Sequence, residues 1–323
     1  MSFFMGREDI VLENIDSSHY EKMFEMFIYK YSIMKASFPN MPDRFMDKEL
    51  IYKLFDNILE DNFGIIALQD DKVLGYLMGY QIDEFKSSKR GVFTPEWAFA
   101  YLDFDIFEII QKNAFSKWKK NKCYNHTITN YTTEEKFFEK IFWDGYGMMV
   151  IDAVSEIKKI EDNHKKDLVF KRSTIDDIDE IEKILDEHCD YMSSSPVFLK
   201  ADKSDNRKEL EKIYGSEKEI LWKAMSGRDT LGIMKTVDGG GEGSLTVKDE
   251  NNLGIGSTHV KEKFQNMGVG KFMIKNIFDY AKENNYKKLS VDFESFNVQA
   301  RKFWLKYFEP VCFSMMRRID DRV

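Results

Sequence analysis

Three cysteines, Cys123, Cys189 and Cys312, are all that this chain of 323 residues carries. They are odd in number and scattered, which argues against a disulfide framework or a zinc site. The five histidines, His19, His126, His164, His188 and His259, show no ligand spacing either, so no metal is expected. No stretch is apolar enough for a membrane helix, and a membrane partner is not expected. The N-terminal stretch MSFFMGREDIVLENI lacks the basic region and apolar run of a signal peptide, so a reducing cytoplasm is the expected home. A basic excess is missing as well. Residues 1–157 hold 18 Lys and Arg against 26 Asp and Glu, and the rest hold 30 against 30, so the net charge of −8 sits in the first half. That balance argues against nucleic acid as a partner. It leaves a cationic substrate compatible, although an acidic solvated surface explains the charge as well.

The most informative segment is 253–271, LGIGSTHVKEKFQNMGVGK, which reads as a strand, a glycine loop and the start of a helix. Val269, Phe272, Met273, Ile277, Tyr280 and Ala281 recur at three and four residues, with Lys271, Lys275, Asp279, Lys282 and Glu283 on the other face. Asn284-Asn285 is a stop signal, and Leu289, Val291 and Phe293 alternate as a second strand over 288–293. Strand, glycine loop, helix and strand form a crossover unit. Its loop can turn backbone N–H groups toward an anion, helped by the positive helix end. Two phosphate-loop patterns fail on residue identity. A nucleoside-triphosphatase loop needs glycine at Gln265 and a hydroxyl at Phe272, and a dinucleotide fingerprint needs a third spaced glycine. The run Gly239, Gly240, Gly241, Glu242, Gly243 reads as a turn.

The pattern that fits resembles the acetyl-CoA-binding core of the GNAT N-acetyltransferases: Gln or Arg, two residues, Gly, one residue, Gly or Ala, after a strand ending in Val. Val260 and 265–270 match it, and Asn297, Ala300 and Phe303-Trp304 match the segment that follows the next strand. The resemblance implies an α/β (α+β) fold, a mixed central sheet flanked by helices, with acetyl-CoA as cosubstrate between two splayed parallel strands. It implies that backbone groups near Thr258, His259 and Val260 meet the pantetheine arm. Gln265, Asn266, Gly268, Val269, Gly270 and Lys271 would hold the pyrophosphate, with Asn297 near the cofactor.

The chain also overlays on itself at a shift of nearly 158 residues. Ile10 to Phe27 resembles Leu168 to Leu185, the hairpin 63–80 matches 221–238, Trp97 to Leu102 falls opposite Ile255 to Val260, and 137–143 resembles 303–308. The expectation is two tandem GNAT-like domains: 1–157 without a cofactor loop, a charged linker at 158–167, and the acetyl-CoA domain at 168–323. Opposite 265–270 the first copy has 105–110, which lacks glycine and carries Asp105 and Glu108, so the first half reads as degenerate. An isolated second half is then expected to bind acetyl-CoA.

Acyl transfer to an amine asks for a base and an acid. Glu294, directly after the second splayed strand, and His259, beside the expected thioester, are the candidate bases, and each has a structural reading too. The family often has Tyr as the second aromatic of its pair, and here that residue is Trp304, which has no titratable proton. Tyr307, three positions on, is a candidate acid and equally a packing residue. The leading reading is an N-acetyltransferase for a small-molecule primary amine. The others are an acetyl-CoA-binding regulatory or interaction protein and a protein acetyltransferase. The acceptor pocket is expected from 187–214, including Tyr191, Ser193, Ser194, Ser195 and Phe198. An oligomer is left open by the sequence.

Overall fold

The structure is a computed structural model that describes residues 9–61, 63–86, 89–161, 167–241 and 243–322. Part of the expected linker, together with His164, Glu242 and the N-terminal eight residues, lies outside the described residues. The elements in chain order begin with β1 (Val11–Asn14), α1 (Tyr20–Ser37), α2 (Lys48–Glu60), β2 (Gly64–Gln69), β3 (Lys72–Met78), β4 (Tyr80–Ile82), β5 (Gly91–Thr94) and β6 (Phe99–Tyr101). They continue with α3 (Phe104–Lys120), β7 (Asn125–Tyr131), α4 (Glu135–Trp143) and β8 (Gly147–Glu156). The second half has β9 (Val169–Arg172), α5 (Ile178–Ser193), α6 (Asn206–Tyr214), β10 (Glu219–Ser226), β11 (Asp229–Asp238) and β12 (Asn252–Val260). It ends with α7 (Val269–Glu283), β13 (Lys288–Glu294), α8 (Val298–Trp304) and β14 (Glu309–Arg318).

The repeat shows in local chemistry. Asp16 and Thr174 each close a capping box at the entry to the first helix of a half, so two otherwise orphaned N–H groups are satisfied in the same way twice. The hairpins β2–β3 and β10–β11 each carry a register shift at the equivalent place, after Ala67 and after Ala224. Such a bulge bends the strand and sharpens its twist. Within the first unit β5 runs parallel to β7, and β6 pairs with β3. Within the second, β12 runs parallel to β13 over its first residues and pairs with β11 along its length.

The chain folds into two compact units, Met1–Met149 with Val311–Val323, and Val150–Pro310. The boundaries expected at 157 and 168 therefore differ from the observed ones, because the last strands of the two halves are exchanged. In the first unit, β14 lies antiparallel to β7, from Cys312 opposite Tyr131 to Arg318 opposite Asn125. In the second, 150–156 of β8 lies antiparallel to β13, from Glu156 opposite Lys288 to Val150 opposite Glu294. The pairing satisfies a strand edge that would otherwise expose a row of N–H and C=O groups.

The core of the first unit is aromatic. Phe99, Phe104, Phe107, Trp118 and Phe137 are buried on the α3 face with Ile106, Ile110 and Ala114. In the second unit α7 buries Met273, Ile274, Ile277, Phe278 and Ala281, while α5 and α6 pack Ile181, Ile184, Leu185, Leu210 and Ile213 against Leu221 and Ile233. Burial of each such large side chain contributes about 1.5–3 kcal/mol, enough to fix both layers against the sheet.

Candidate active site

The site is built where β12 and β13 part. The two strands are paired from Asn252 opposite Lys288 to Ile255 opposite Val291, and no further. At that point the β11–β12 register shifts, so that Thr236 faces Ile255 but Met234 faces Thr258. The bulge carries the rest of β12 along β11, while β13 continues along β8. The backbone of 256–260 is thus laddered on one side, and its other side can pair with an extended amide-bearing arm.

After Val260 the chain makes a short 3-10 turn, Glu262–Phe264, and then the loop that opens α7. Gln265 is not aimed at an anion: its Nε2 donates to the Val260 carbonyl at 3.0 Å and ties the loop to the strand end. Asn266 has φ 59° and Gly268 φ 85°, both left-handed, a conformation Asn tolerates and Gly adopts without strain. No side chain caps α7. The first intrahelical donor is Phe272, bonded to the Gly268 carbonyl at 3.0 Å, so the N–H groups of Val269, Gly270 and Lys271 are left for an external acceptor. Lys261 and Lys263 lie in the connection before this end and Lys271 in the first turn of α7, with Lys261 paired to Glu180 and Lys263 over the Phe264 ring. Gly270 has a packing reason as well, since a Cβ there would stand 3.2 Å from the Phe303 ring.

Among its described residues the first unit has no such cradle at the equivalent place. There β6 ends at Tyr101 and α3 begins at Phe104, with Asp103 between them accepting from the Ile106 N–H at 3.0 Å. The chain supplies its own carboxylate where the second unit leaves the helix end open. Residues 105–110, expected opposite the glycine loop, lie inside α3 instead. The alignment slipped because a two-residue connection stands where the second half has eight.

His259 is buried, and its Nε2 lies 3.2 Å from Oε1 of Glu187 on α5. The same oxygen accepts from the Glu262 N–H at 2.8 Å. Burial pushes the His259 pKa below the usual histidine range, and the Glu187 hydrogen bond and charge oppose this without reversing it. Burial alone would raise the Glu187 carboxyl, but the Glu262 N–H and His259 outweigh it and hold the pKa below the carboxylate norm. His188, its ring 5.4 Å from that of His259, is pushed down to about 4 by burial and by His259.

Asn297 caps α8, its Oδ1 accepting from the Ala300 N–H at 3.1 Å and from the Tyr191 hydroxyl at 2.7 Å. Tyr191, on α5 one turn beyond Glu187, therefore ties that helix to the end of β13, with its ring 6.5 Å from His259. Glu294 ends β13 half-buried, and its carboxylate has no partner among the described residues. Thr258 turns its hydroxyl back to the Gly256 carbonyl at 3.0 Å. Trp304 is core, packed between Phe303 and Phe308. Tyr307 lies against Phe303 at 5.3 Å, and its carbonyl accepts from Lys158 at 2.6 Å. The structure thus gathers His259, Glu187, Tyr191 and Asn297 into one connected set. It packs Tyr307 against Phe303 instead, ring edge to face. Glu187 and Tyr191 recur at four residues on one face of α5, a spacing visible in the sequence, but the partner they face is not.

A hollow of about 470 Å³ lies in the first unit, between Phe63, Leu59, Lys117 and Lys120, and none of these site residues lines it. Among the described residues no group of three or more His, Cys, Asp or Glu is placed to hold a metal, and no helix is long and apolar enough to cross a membrane.

Residues 201–308 match the model of the acetyltransferase (GNAT) family. No curated protein matches the sequence. Among solved structures, a GCN5-related N-acetyltransferase from Sphaerobacter thermophilus superposes with a TM-score of 0.62 at 7% identity, covering 96% of each chain. A GCN5-related glucosamine N-acetyltransferase region in a fungal multi-domain GH3 beta-N-acetylglucosaminidase gives 0.58 at 10% identity, covering 95% of this chain and 38% of the other. A tandem GNAT protein from the clavulanic acid biosynthesis pathway gives 0.49 at 10% identity, over 96% of this chain and 98% of that one. At such identities the likeness is one of fold. Residues 201–308 thus match the acetyltransferase (GNAT) family, and the fold of the chain is like that of a GCN5-related N-acetyltransferase.

Proposed function

We propose that the second unit transfers acetyl from acetyl-CoA to the primary amine of a small molecule. The observation that carries this is the uncapped N-terminus of α7 behind a left-handed loop, beside two strands that part. The residues fit the cosubstrate. The N–H groups of Val269, Gly270 and Lys271 would take the diphosphate, and the one-sided backbone of 256–260 the pantetheine arm. Acetyl-CoA supplies an activated thioester, and the protein's part is to orient it and to accept the proton of the incoming ammonium. Helix α5 sets the Glu187 carboxylate beside His259, a charge that favours a cationic acceptor, while Asp179, Glu182, Glu180 and Asp190 of the same helix pair with Arg207, Lys261 and Lys203. The buried Trp304, standing where the family often has a phenol, favours a second reading, a unit that binds acetyl-CoA without turning it over.

Release of CoA thiol against a panel of amines separates the two. Transfer to at least one amine is expected, and binding without release to any of them would leave only the second reading. In the same assay Gly268→Glu is expected to weaken acetyl-CoA binding at least tenfold, about 1.4 kcal/mol, by setting a carboxylate against the diphosphate. Gly268→Asn, which accepts the same φ without charge, is expected to retain binding. Equal loss in both variants would make the added side chain rather than its charge the cause, and unchanged binding by Gly268→Glu would move the diphosphate elsewhere.

A further inference from the structure

We infer that Glu187 is the positioning residue of the transfer site, holding His259 in the one tautomer whose Nδ1 takes the proton from the incoming ammonium. The inference rests on the acetyltransferase reading above and adds to it the identity of the base and of the group that sets it.

A carboxylate can only accept, so the 3.2 Å contact between Glu187 Oε1 and His259 Nε2 places the ring proton on Nε2. The lone pair of the neutral ring then sits on Nδ1. That nitrogen has no partner among the described residues and, unlike Nδ1 of His188, is not sealed from solvent. Nδ1 is also the ring nitrogen nearer the main chain, so the lone pair lies close to the one-sided backbone of 256–260. His259 faces α5 rather than α7: its neighbours are Glu187, His188 and Tyr191. A base on that face stands beside the Glu187 carboxylate, the charge that favours a cationic acceptor.

The charged and titratable groups around His259 are Glu187, His188 and Tyr191 from α5, and Lys261 and Glu262 from the loop that follows β12. Lys261 pairs with Glu180 at 3.9 Å. The Glu187 carboxylate stands nearest among them. In the transfer, the ammonium proton passes to Nδ1, the amine nitrogen bonds to the acetyl carbon, and the carbon–sulfur bond breaks with its electron pair on sulfur. The amide nitrogen and His259 each release a proton, one to the thiolate and one to solvent. The balance is alkylammonium plus acetyl-CoA giving amide, CoA thiol and a proton. Glu187 stabilises the imidazolium that stands between these steps.

A purely structural role is the competing account, because Glu187 also anchors the loop through the Glu262 N–H. The two accounts differ in what Glu187→Gln does in the full-length protein. The side chain keeps its shape and an oxygen for the Glu262 N–H, but it loses the charge and can present an amide donor to Nε2. Expected are a fall in kcat of tenfold or more and an unchanged KM for acetyl-CoA. The acid limb of the rate profile should move to lower pH, and the His259 imidazole should titrate lower by NMR. Glu187→Asp should restore part of kcat. An unchanged acid limb and unchanged His259 titration, or a loss confined to the KM for acetyl-CoA, would overturn the inference. A wild-type protein that releases no CoA with any amine would instead sink the acetyltransferase reading, and the role of Glu187 with it. The NMR titration would still report whether the pair exists.

Discussion

At the scale of single residues each unit carries buried or half-buried charge whose surroundings set its protonation. In the second unit the charge near His259 is half-buried and shared among hydrogen bonds. In the first, Lys30 on α1 is buried outright, its Nζ donating to the Phe99 carbonyl at 2.8 Å and standing 3.8 Å from the centre of the Phe99 ring. Burial drives its pKa down to about 7, against the smaller opposing pull of Glu134, Glu96 and Cys312. A lysine lowered on folding binds fewer protons in the native state than in the unfolded one, from about pH 7 up to its unfolded value of 10.5. Stability therefore rises with pH across that window. Every tenfold loss of proton affinity corresponds to about 1.4 kcal/mol, so burying the ammonium costs several kcal/mol at low pH. Lys30→Met keeps the volume and removes the charge. The variant is expected to gain most over wild type below pH 7 and to lose that advantage by about pH 10, read by urea unfolding at several pH values. A difference that does not vary with pH would place the charge of Lys30 elsewhere than in the folded core. None of this is legible in the sequence, where Lys30 is one cation among the acidic residues of the first half.

At the scale of elements, what the sequence disclosed is what local chemistry determines. The periodic spacing of Val269 to Ala281 and the stop at Asn284-Asn285 gave α7 its observed span, with Asn284 at the cap and Asn285 at φ 61°. The hairpins and capped helix starts of the two halves were readable for the same reason. Gln265 could be located but not interpreted, since its bond to Val260 depends on how the loop folds back. Asn297 was placed near the cofactor by resemblance, and its oxygen proves committed to the α8 cap and to Tyr191. The pairing of Glu187 with His259 spans seventy-odd residues, and no local pattern announces it. The slip over 105–110 has the same root: a connection shortened to Leu102 and Asp103 cannot be found by sliding one copy along the other. That connection carries its own prediction. Removing the α3 cap by Asp103→Ala is expected to cost about 1 kcal/mol, seen as a lower midpoint of unfolding. It should not create acetyl-CoA binding in the first unit, because the glycine loop is absent there. Calorimetry detecting a second binding event in this variant would show that the carboxylate alone had closed a working cradle.

At the scale of the whole molecule, the exchange of last strands changes what a separable half is. Cutting at residue 167 follows the sequence repeat, and the expectation from the repeat alone was a fragment that binds acetyl-CoA unaided. Such a fragment lacks 150–156, which pairs with β13 along its full length, and so bares an edge rich in apolar residues, Leu289, Val291 and Phe293, beside the splay itself. It also retains 311–318, whose partner strand β7 is left behind in the other piece. Two unpaired strands in one fragment favour association between chains over folding within one. A fragment of 150–310 keeps every strand of the second unit, the glycine loop and the pair Glu187 and His259. It is expected to be monomeric by size-exclusion chromatography, to unfold cooperatively and to bind acetyl-CoA within a few fold of the intact chain, whereas 168–323 aggregates or binds at least tenfold more weakly. The expectation rests on the splay: β13 leaves β12 after Val291 while β8 stays paired along its other edge. Tight binding by 168–323, with 150–310 inert, would mean that 311–318 can replace 150–156 beside β13 and that the exchange is dispensable to the site.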